Sequence, residues 1–284
     1  MIETRFVRAD RSSSTLRSLV CAGDTLDEEG VRAAIGGERS TRSIVAGIER
    51  HVSSMEAEAE AEALHGDLEA KLSAQLDVGA FALSGGVDAA LLLALAVRRG
   101  RRPVAYTLRP RLCRDDGSYD EHAAALAIGR ALGVEVIVVD ATDEDFVEAL
   151  PDALRAIEVP LYNLHPVARL LLARRVAADG HTALVTGDGA DQRCARRDGH
   201  DYLPLVAALT RAAGLSWVCP YLHPSLVELD ATTSEKPELR ALLARDLAAV
   251  AATPKRPRLA PSIALAAPVA EYTTRWLRSS LGLG

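Results

Sequence analysis

The sequence lacks any apolar run long enough to cross a bilayer. The longest, Ala89 to Val97, falls well short of the roughly 20 residues a membrane helix needs. The first residues, Met1 to Ser14, are polar and carry arginine with no apolar block. A secretory signal is therefore not expected, and the default location is cytoplasmic. There is no excess of positive charge: the net charge is −6 and the pI near 5.7. A chain of that sign has no overall attraction to phosphate backbones, so neither nucleic acid nor a membrane is an expected partner. Paired cysteines are missing as well. Cys21, Cys113, Cys194 and Cys219 stand alone, which excludes a zinc ribbon and a thioredoxin-like site. Lysine is scarce. Of 33 basic residues, all but Lys71, Lys236 and Lys255 are arginine, so a lysine in a suggestive place carries more weight than usual. No internal repeat is present.

What is there suits one large domain, or one domain with a smaller appendage. The chain has 284 residues, 49% hydrophobic and 25% charged, an ordinary globular balance. Residues 1–63 differ from the rest. They hold Ser, Thr and Arg patches, a short helical pattern from Leu26 to Ile35, and the alternating Glu/Ala run Glu56 to Glu62. That run favours a solvated helix, since it has strong helix formers and no apolar face.

From residue 64 the pattern becomes regular. Leu64, Leu68, Leu72 and Leu76 recur at helical spacing and predict an amphipathic helix. Short apolar or β-branched runs at Gly79 to Leu83, Val104 to Leu108, Val134 to Val139 and Ala183 to Thr186 predict strands. Helices are expected over Asp88 to Arg99, Asp120 to Leu132, Asp143 to Ile157 and Pro166 to Ala178. After Ala190 the chain reads as mostly helical. Strands alternating with helices of this length predict an α/β fold with a doubly wound parallel sheet, a helical C-terminal part and a short N-terminal extension.

Two glycine-rich turns follow predicted strands, where open parallel sheets bind ligands. The first is Ser84-Gly85-Gly86-Val87-Asp88. Glycines let a backbone approach an anion, and the helix that follows offers unpaired N–H groups to phosphate oxygens. The lysine-containing phosphate loop GxxxxGK[ST] is absent. A tight connection with Asp88 as helix cap is the plainer reading. The second turn runs from Thr186 through Gly187, Asp188, Gly189 and Ala190 to Asp191 and Gln192. Carboxylates facing phosphate repel it unless a hard cation lies between them, so Asp88 and Asp191 are candidate ligands of Mg2+. Asx-turn or capping duty is the alternative for Asp188 and Asp191.

The stretch Phe81 to Asp88 resembles the SGGxDSS pyrophosphate loop of the asparagine synthetase family of ATP pyrophosphatases, whose fold is the adenine nucleotide alpha hydrolase-like, PP-loop type. The resemblance continues through Tyr119-Asp120-Glu121, Val159 to Asn163, Thr186 to Gln192 (the family's SGEGADE), Val218 to His223 (its VPFLD) and Thr253-Pro254-Lys255. It covers about residues 64–265 in order, and divides the chain into a synthetase-like domain, 64–284, and an extension, 1–63. Leu26 to Ile48 is similar to the tail of a glutaminase domain, so the extension reads as a remnant of one. Position 2 is not cysteine, so ammonia from glutamine is not expected. The resemblance therefore points toward β-lactam and peptide-macrolactam synthetases, which use an amine already in the substrate.

The resemblance implies ATP and Mg2+ as cofactors. It implies a small-molecule or peptide substrate carrying a carboxylate and an amine, and leaves open a homodimer or a partner protein in a biosynthetic complex. Ser84, Gly85 and Gly86 match phosphate contacts, and Leu83, Leu108, Thr186 and Gly187 match positions around the adenosine. Asp88 and Asp191 match the metal ligands. Asp188, Lys255 and Tyr202 are the candidate catalytic residues. Arg193, Arg196 and Arg197 are either carboxylate or phosphate binders or an exposed helix face. His223 reads as structural rather than as a proton shuttle.

The departures matter. The family's two serines after the loop aspartate are Ala89 and Ala90, and its catalytic Glu is Asp188, one methylene shorter. Two function classes therefore stand against each other: an amide- or lactam-forming ligase, and a degraded relative that binds nucleotide or peptide without turnover. A third reading keeps the loop but changes the chemistry to tRNA thiolation or to NAD or GMP amidation. The acidic charge and the isolated cysteines argue against thiolation.

Overall fold

The structure is a computed structural model describing residues 2–36, 40–52, 64–110, 121–195, 202–226, 229, 235–254 and 266–284. The Glu56 to Glu62 run, Cys113, Tyr119, Asp120, Arg196, Arg197 and Lys255 lie outside the described residues.

Five strands form the central sheet: β4 (Ala80–Ala82), β5 (Val104–Pro110), β6 (Glu135–Ala141), β7 (Ala183–Val185) and β8 (Ser216–Val218). Their order is β6-β5-β4-β7-β8 and every pairing is parallel. Four of them are the apolar runs read above. The edge strand β8 was not anticipated; it is a three-residue Ser-Trp-Val segment lodged where the pattern looks helical. Side chains alternate between the two faces, as the pleat requires. Phe81, Ala105 and Val185 point into one core, while Ala80, Ala82, Tyr106 and Leu184 point into the other.

The first face is covered by α2 (Leu68–Ser73), α3 (Val87–Arg98), α4 (Glu121–Leu132) and α9 (Pro237–Ala252). Helix α3 is apolar all round because it is enclosed all round. Leu91, Leu92, Leu93 and Leu95 are fully buried, and Leu239 and Leu243 of α9 share their cluster. Burying each such leucine is worth about 1.5–3 kcal/mol, so the helix is held by packing, with no side-chain cap on Gly86. The leucine repeat ahead of it forms a shorter helix than expected: Asp67 accepts a hydrogen bond from the Ala70 amide and starts α2, which stops at Ser73. The repeat is amphipathic as predicted, since Leu72 and Leu76 are buried.

On the other face lies α6 (His165–Ala178), packed through Leu172, Ala173 and Val176. Outside it stand α5 (Asp143–Ile157), α8 (Tyr202–Ala212) and α10 (Ala266–Leu281). Helix α5 opens on a reciprocal cap between Thr142 and Asp145, a pairing that satisfies two amides at once. The N-terminal residues join this layer. They form α1 (Glu28–Gly36) and an antiparallel sheet of β1 (Thr4–Arg8), β2 (Arg11–Ser13) and β3 (Glu49–Val52), in the order β2-β1-β3. These strands are half-exposed and polar, which is why no alternation betrays them. Phe6, Leu16, Leu19 and Ile44 share one core cluster with Phe146, Leu154, Leu170 and Leu277. Among the described residues no helix is long and apolar enough to cross a membrane.

A buried carboxylate also anchors the N-terminal segment. Glu158 ends α5 in the left-handed conformation, φ 51°, and accepts hydrogen bonds from the Leu16 and Arg17 amides at 2.5 and 3.1 Å. Burial pushes its carboxyl above the ordinary value in spite of those two donors and nearby Arg17. The folded chain therefore holds this proton more tightly than the unfolded chain does. Glu158 contributes most stability at low pH and progressively less as pH rises through its folded value. Glu158→Gln removes that titration. Urea melts at about pH 4 and about pH 7 should show a smaller loss on the alkaline side for the variant than for the parent chain. Equal losses would contradict the assignment.

Candidate functional site

The chain enters the sheet at central β4, adds β5 and β6 on one side, then crosses to add β7 and β8 on the other. The reversal leaves a crevice between the ends of β4 and β7, the place where sheets of this order bind ligands. Both glycine-rich turns open into it, because each directly follows one of those two strands.

The turns are in contact through backbone. A Cβ on Gly187 would lie 2.8 Å from the Ala89 nitrogen and 3.1 Å from the Asp88 carbonyl carbon. Neither neighbour is the tip of a flexible side chain, so only glycine fits. Gly187→Ala should cost roughly 1–3 kcal/mol by overpacking, read as a lower midpoint in denaturant at unchanged slope. A neutral result would mean that the turns are not seated as described. Gly189 serves a different need. Its φ is +89°, and a Cβ there would meet the Leu222 side chain at 2.7 Å.

In the first turn the Ser84 hydroxyl accepts from the Gly86 amide at 3.3 Å, and Gly86 is the residue that caps α3. Asp88 is thus the second helical residue rather than the cap of the plainer reading. Leu83 is buried beside β5, donating its amide to the Tyr106 carbonyl at 2.8 Å. Leu108 lies half-buried on β5. Ala89 and Ala90, where the family pattern has serines, are buried.

Asp88 and Asp191 converge. Asp191 stands in the first turn of α7 (Ala190–Ala195), and both carboxylates are reached by one ammonium. Lys236 Nζ lies 2.6 Å from Asp88 Oδ2 and 2.7 Å from Asp191 Oδ1. The lysine side chain is 7% exposed. Burial on its own would lower its pKa, but the charges of Asp88 and Asp191 and its bonds to both outweigh that and raise it. The arrangement sits on a firm base, since the Tyr221 hydroxyl donates to the Asp88 carbonyl at 2.9 Å. Burial first, and then the charge of Asp88, drives the Tyr221 hydroxyl far above its ordinary pKa, so it remains a donor. Two carboxylates that close on one ammonium can also share one hard divalent cation, which typically takes one or two carboxylates plus phosphate oxygens and water. Among the described residues no group of three or more His, Cys, Asp or Glu side chains is placed to hold a metal.

A second ion pair lies on the same turn. Arg169 of α6 places Nη2 2.9 Å from Asp188 Oδ1 and donates from Nε to the Tyr202 hydroxyl at 3.1 Å. Burial opposes the guanidinium charge, but Asp188 and Tyr202 more than offset it and raise its pKa. Asp188 Oδ2 is buried and receives no hydrogen bond among the described residues. Asp188 and Tyr202 are therefore joined through an arginine rather than directly. Thr186 is buried, and its hydroxyl accepts from the Trp217 ring at 2.8 Å.

The other candidates take ordinary roles. Arg193 is buried and donates to the carbonyls of Tyr221, Leu222 and His223; it pins that segment, and it lies on no exposed face. The His223 ring accepts from the Ser225 amide at 3.2 Å, a local turn contact that agrees with the structural reading. Lys255 falls outside the described residues. Sequence reasoning missed Lys236 and Arg169. The rarity of lysine was a usable signal for the first. Nothing marks Arg169 among the many arginines of this chain.

Amidase chyE of Penicillium rubens is 34% identical over 84 residues, 30% of this chain and 12% of the relative. Amidase chry2 of Gibberella zeae is 32% identical over 133 residues, 43% of the chain and 20% of the relative. A putative glutamine-hydrolysing asparagine synthetase of Mycobacterium tuberculosis is 32% identical over 122 residues, 43% and 18%. The matched segments thus span at most a fifth of these relatives. Among solved structures, the U34-tRNA thiolase NcsA of Methanococcus maripaludis aligns with a TM-score of 0.42 and 16% identity, over 75% of this chain and 77% of that one. The asparagine synthase family matches residues 61–275. That span is most of the chain and holds both turns together with Lys236 and Arg169, and the protein belongs to the asparagine synthase family.

Proposed function

We propose that the protein is an ATP-dependent ligase that joins a carboxylate to an amine. In the proposed reaction the substrate carboxylate attacks the α-phosphate of ATP and expels pyrophosphate. The amine then attacks the carbon of the resulting acyl-adenylate, giving an amide and AMP. The observation that carries this reading is the convergence of Asp88 and Asp191 at the crevice where the sheet order reverses. Two acids facing a phosphate loop make sense when a cation and an anion are to be held there together.

In this reading Asp88 and Asp191 hold Mg2+, which when bound supplies positive charge to the departing pyrophosphate. Ser84, Gly85 and Gly86 and the first amides of α3 contact its oxygens. Leu83, Leu108, Thr186 and Gly187 border the adenosine. Asp188 Oδ2, an acceptor without a hydrogen bond among the described residues, takes a proton from the attacking amine. Arg169 holds the other oxygen of that carboxylate and links it to Tyr202. Lys255 supplies a further positive charge to pyrophosphate or to the acyl oxyanion. The substrate is a small molecule or peptide bearing both groups. The resemblance to synthetases that use an internal amine supports a step in natural-product or modified-peptide biosynthesis.

Isothermal calorimetry with Mg·ATP, followed by a pyrophosphate-release assay across carboxylate–amine pairs, tests the reading. Absence of Mg·ATP binding overturns it. A second reading is favoured by the buried Ala89 and Ala90, which remove two hydroxyls from the phosphate loop. In that case the protein binds nucleotide or peptide as a partner in a biosynthetic complex. Tight nucleotide binding without pyrophosphate release from any pair supports it.

A further inference from the structure

We propose that Lys236 is a resident counter-ion that keeps the Asp88–Asp191 pair closed to divalent metal until nucleotide arrives. The inference rests on the reading of the crevice as a nucleotide site, and concerns how that site is loaded.

Three observations carry it. The ammonium sits between the two carboxylates at 2.6 and 2.7 Å, where a shared cation would sit. It is nearly buried, with 7% of the side chain exposed, so one of the pair's two negative charges is balanced from within the protein. Its backbone is held in the left-handed region, φ 53°, at the head of α9, and no side chain caps that helix. A non-glycine residue rarely adopts that conformation, and it persists here under tertiary constraint.

A divalent ion entering alone must displace this ammonium from both carboxylates, and the cost of leaving a buried charge unpaired is large. A metal–nucleotide complex brings its own anion. The flexible stem of the lysine lets Nζ pass from the carboxylates to a phosphate oxygen, while the metal takes its former place. Metal and nucleotide then bind with positive coupling, and the site carries one more cation when loaded than when empty.

The test uses the full chain and Mn2+ as probe, with binding followed by electron paramagnetic resonance and by thermal melts. The parent protein should show no saturable Mn2+ site on its own, and should gain one when ATP is added. Lys236→Met should bind Mn2+ without nucleotide about tenfold or more tightly than the parent, within the span typical of coupled sites, and Asp191→Asn on that background should abolish the gain. If Lys236→Met proves too unstable to handle, Lys236→Gln keeps a donor to the carboxylates and should show the same gain. Saturable Mn2+ binding by the parent chain alone, as tight as in either variant, overturns the proposal. So does failure of both variants to gain it. Loss of ATP binding by the parent chain, whatever happens with Mn2+ alone, instead overturns the reading of the crevice.

Discussion

Asp191→Asn should reduce pyrophosphate release by on the order of a hundredfold or more while leaving the protein folded. The amide keeps an acceptor for Lys236, which also retains Asp88 at 2.6 Å, so the local packing survives. Asp191 is 30% exposed and Lys236 keeps its bond to Asp88, so the substitution leaves no buried charge without a partner. What disappears is half of the negative charge available to a divalent cation. Charge stabilisation by a bound metal is worth several kcal/mol in phosphoryl chemistry, which sets the size of the expected loss. Circular-dichroism melts establish the fold, and a pyrophosphate-release assay reads the effect. Retention of activity to within about threefold would remove Asp191 from the site, because a lost metal ligand is not compensated so cheaply.

Arg169→Met should have the largest effect on stability, about 3–5 kcal/mol, because it strands a buried carboxylate. Asp188 is only 10% exposed, and its other oxygen already lacks a hydrogen bond among the described residues. The methionine fills much of the space but offers no charge. Adding Asp188→Asn should return a good part of the loss, since removing both partners of a buried pair is often near neutral whereas removing one is not. Denaturant melts of the two single variants and the double variant form the cycle that reads the coupling. Additive single losses would mean that the two residues do not act on one another. The single Arg169 variant should also lose turnover beyond its loss of fold. Asp188 is held in place through this guanidinium, and small displacements at a reacting group cost rate steeply.

Much of the fold is legible without coordinates. Leu91 to Leu95 reads as an enclosed helix, and the runs at Phe81, Val104, Val136 and Leu184 read as strands, since they are short, apolar or β-branched and alternate with helices of ten or more residues. The turns are legible as well. Paired glycines and acids directly after apolar strands leave few other structural reasons for being there. The segments that escape are those whose patterns are weak. Trp217 sits in a strand of three residues, and the N-terminal sheet is half-exposed with no alternation. Their pairing is decided by neighbours supplied from elsewhere in the chain.

The sequence by itself determined the alternation of strands and helices, the two phosphate-loop-like turns and the acids upon them, because each is a local pattern carried by neighbouring residues. Only the tertiary structure decided what those acids face. Lys236 and Arg169 come from helices remote in the chain, and their distance to Asp88, Asp191 and Asp188 depends on how α9 and α6 pack against the sheet. Charge pairing across a crevice is a property of that packing, and no local spacing encodes it.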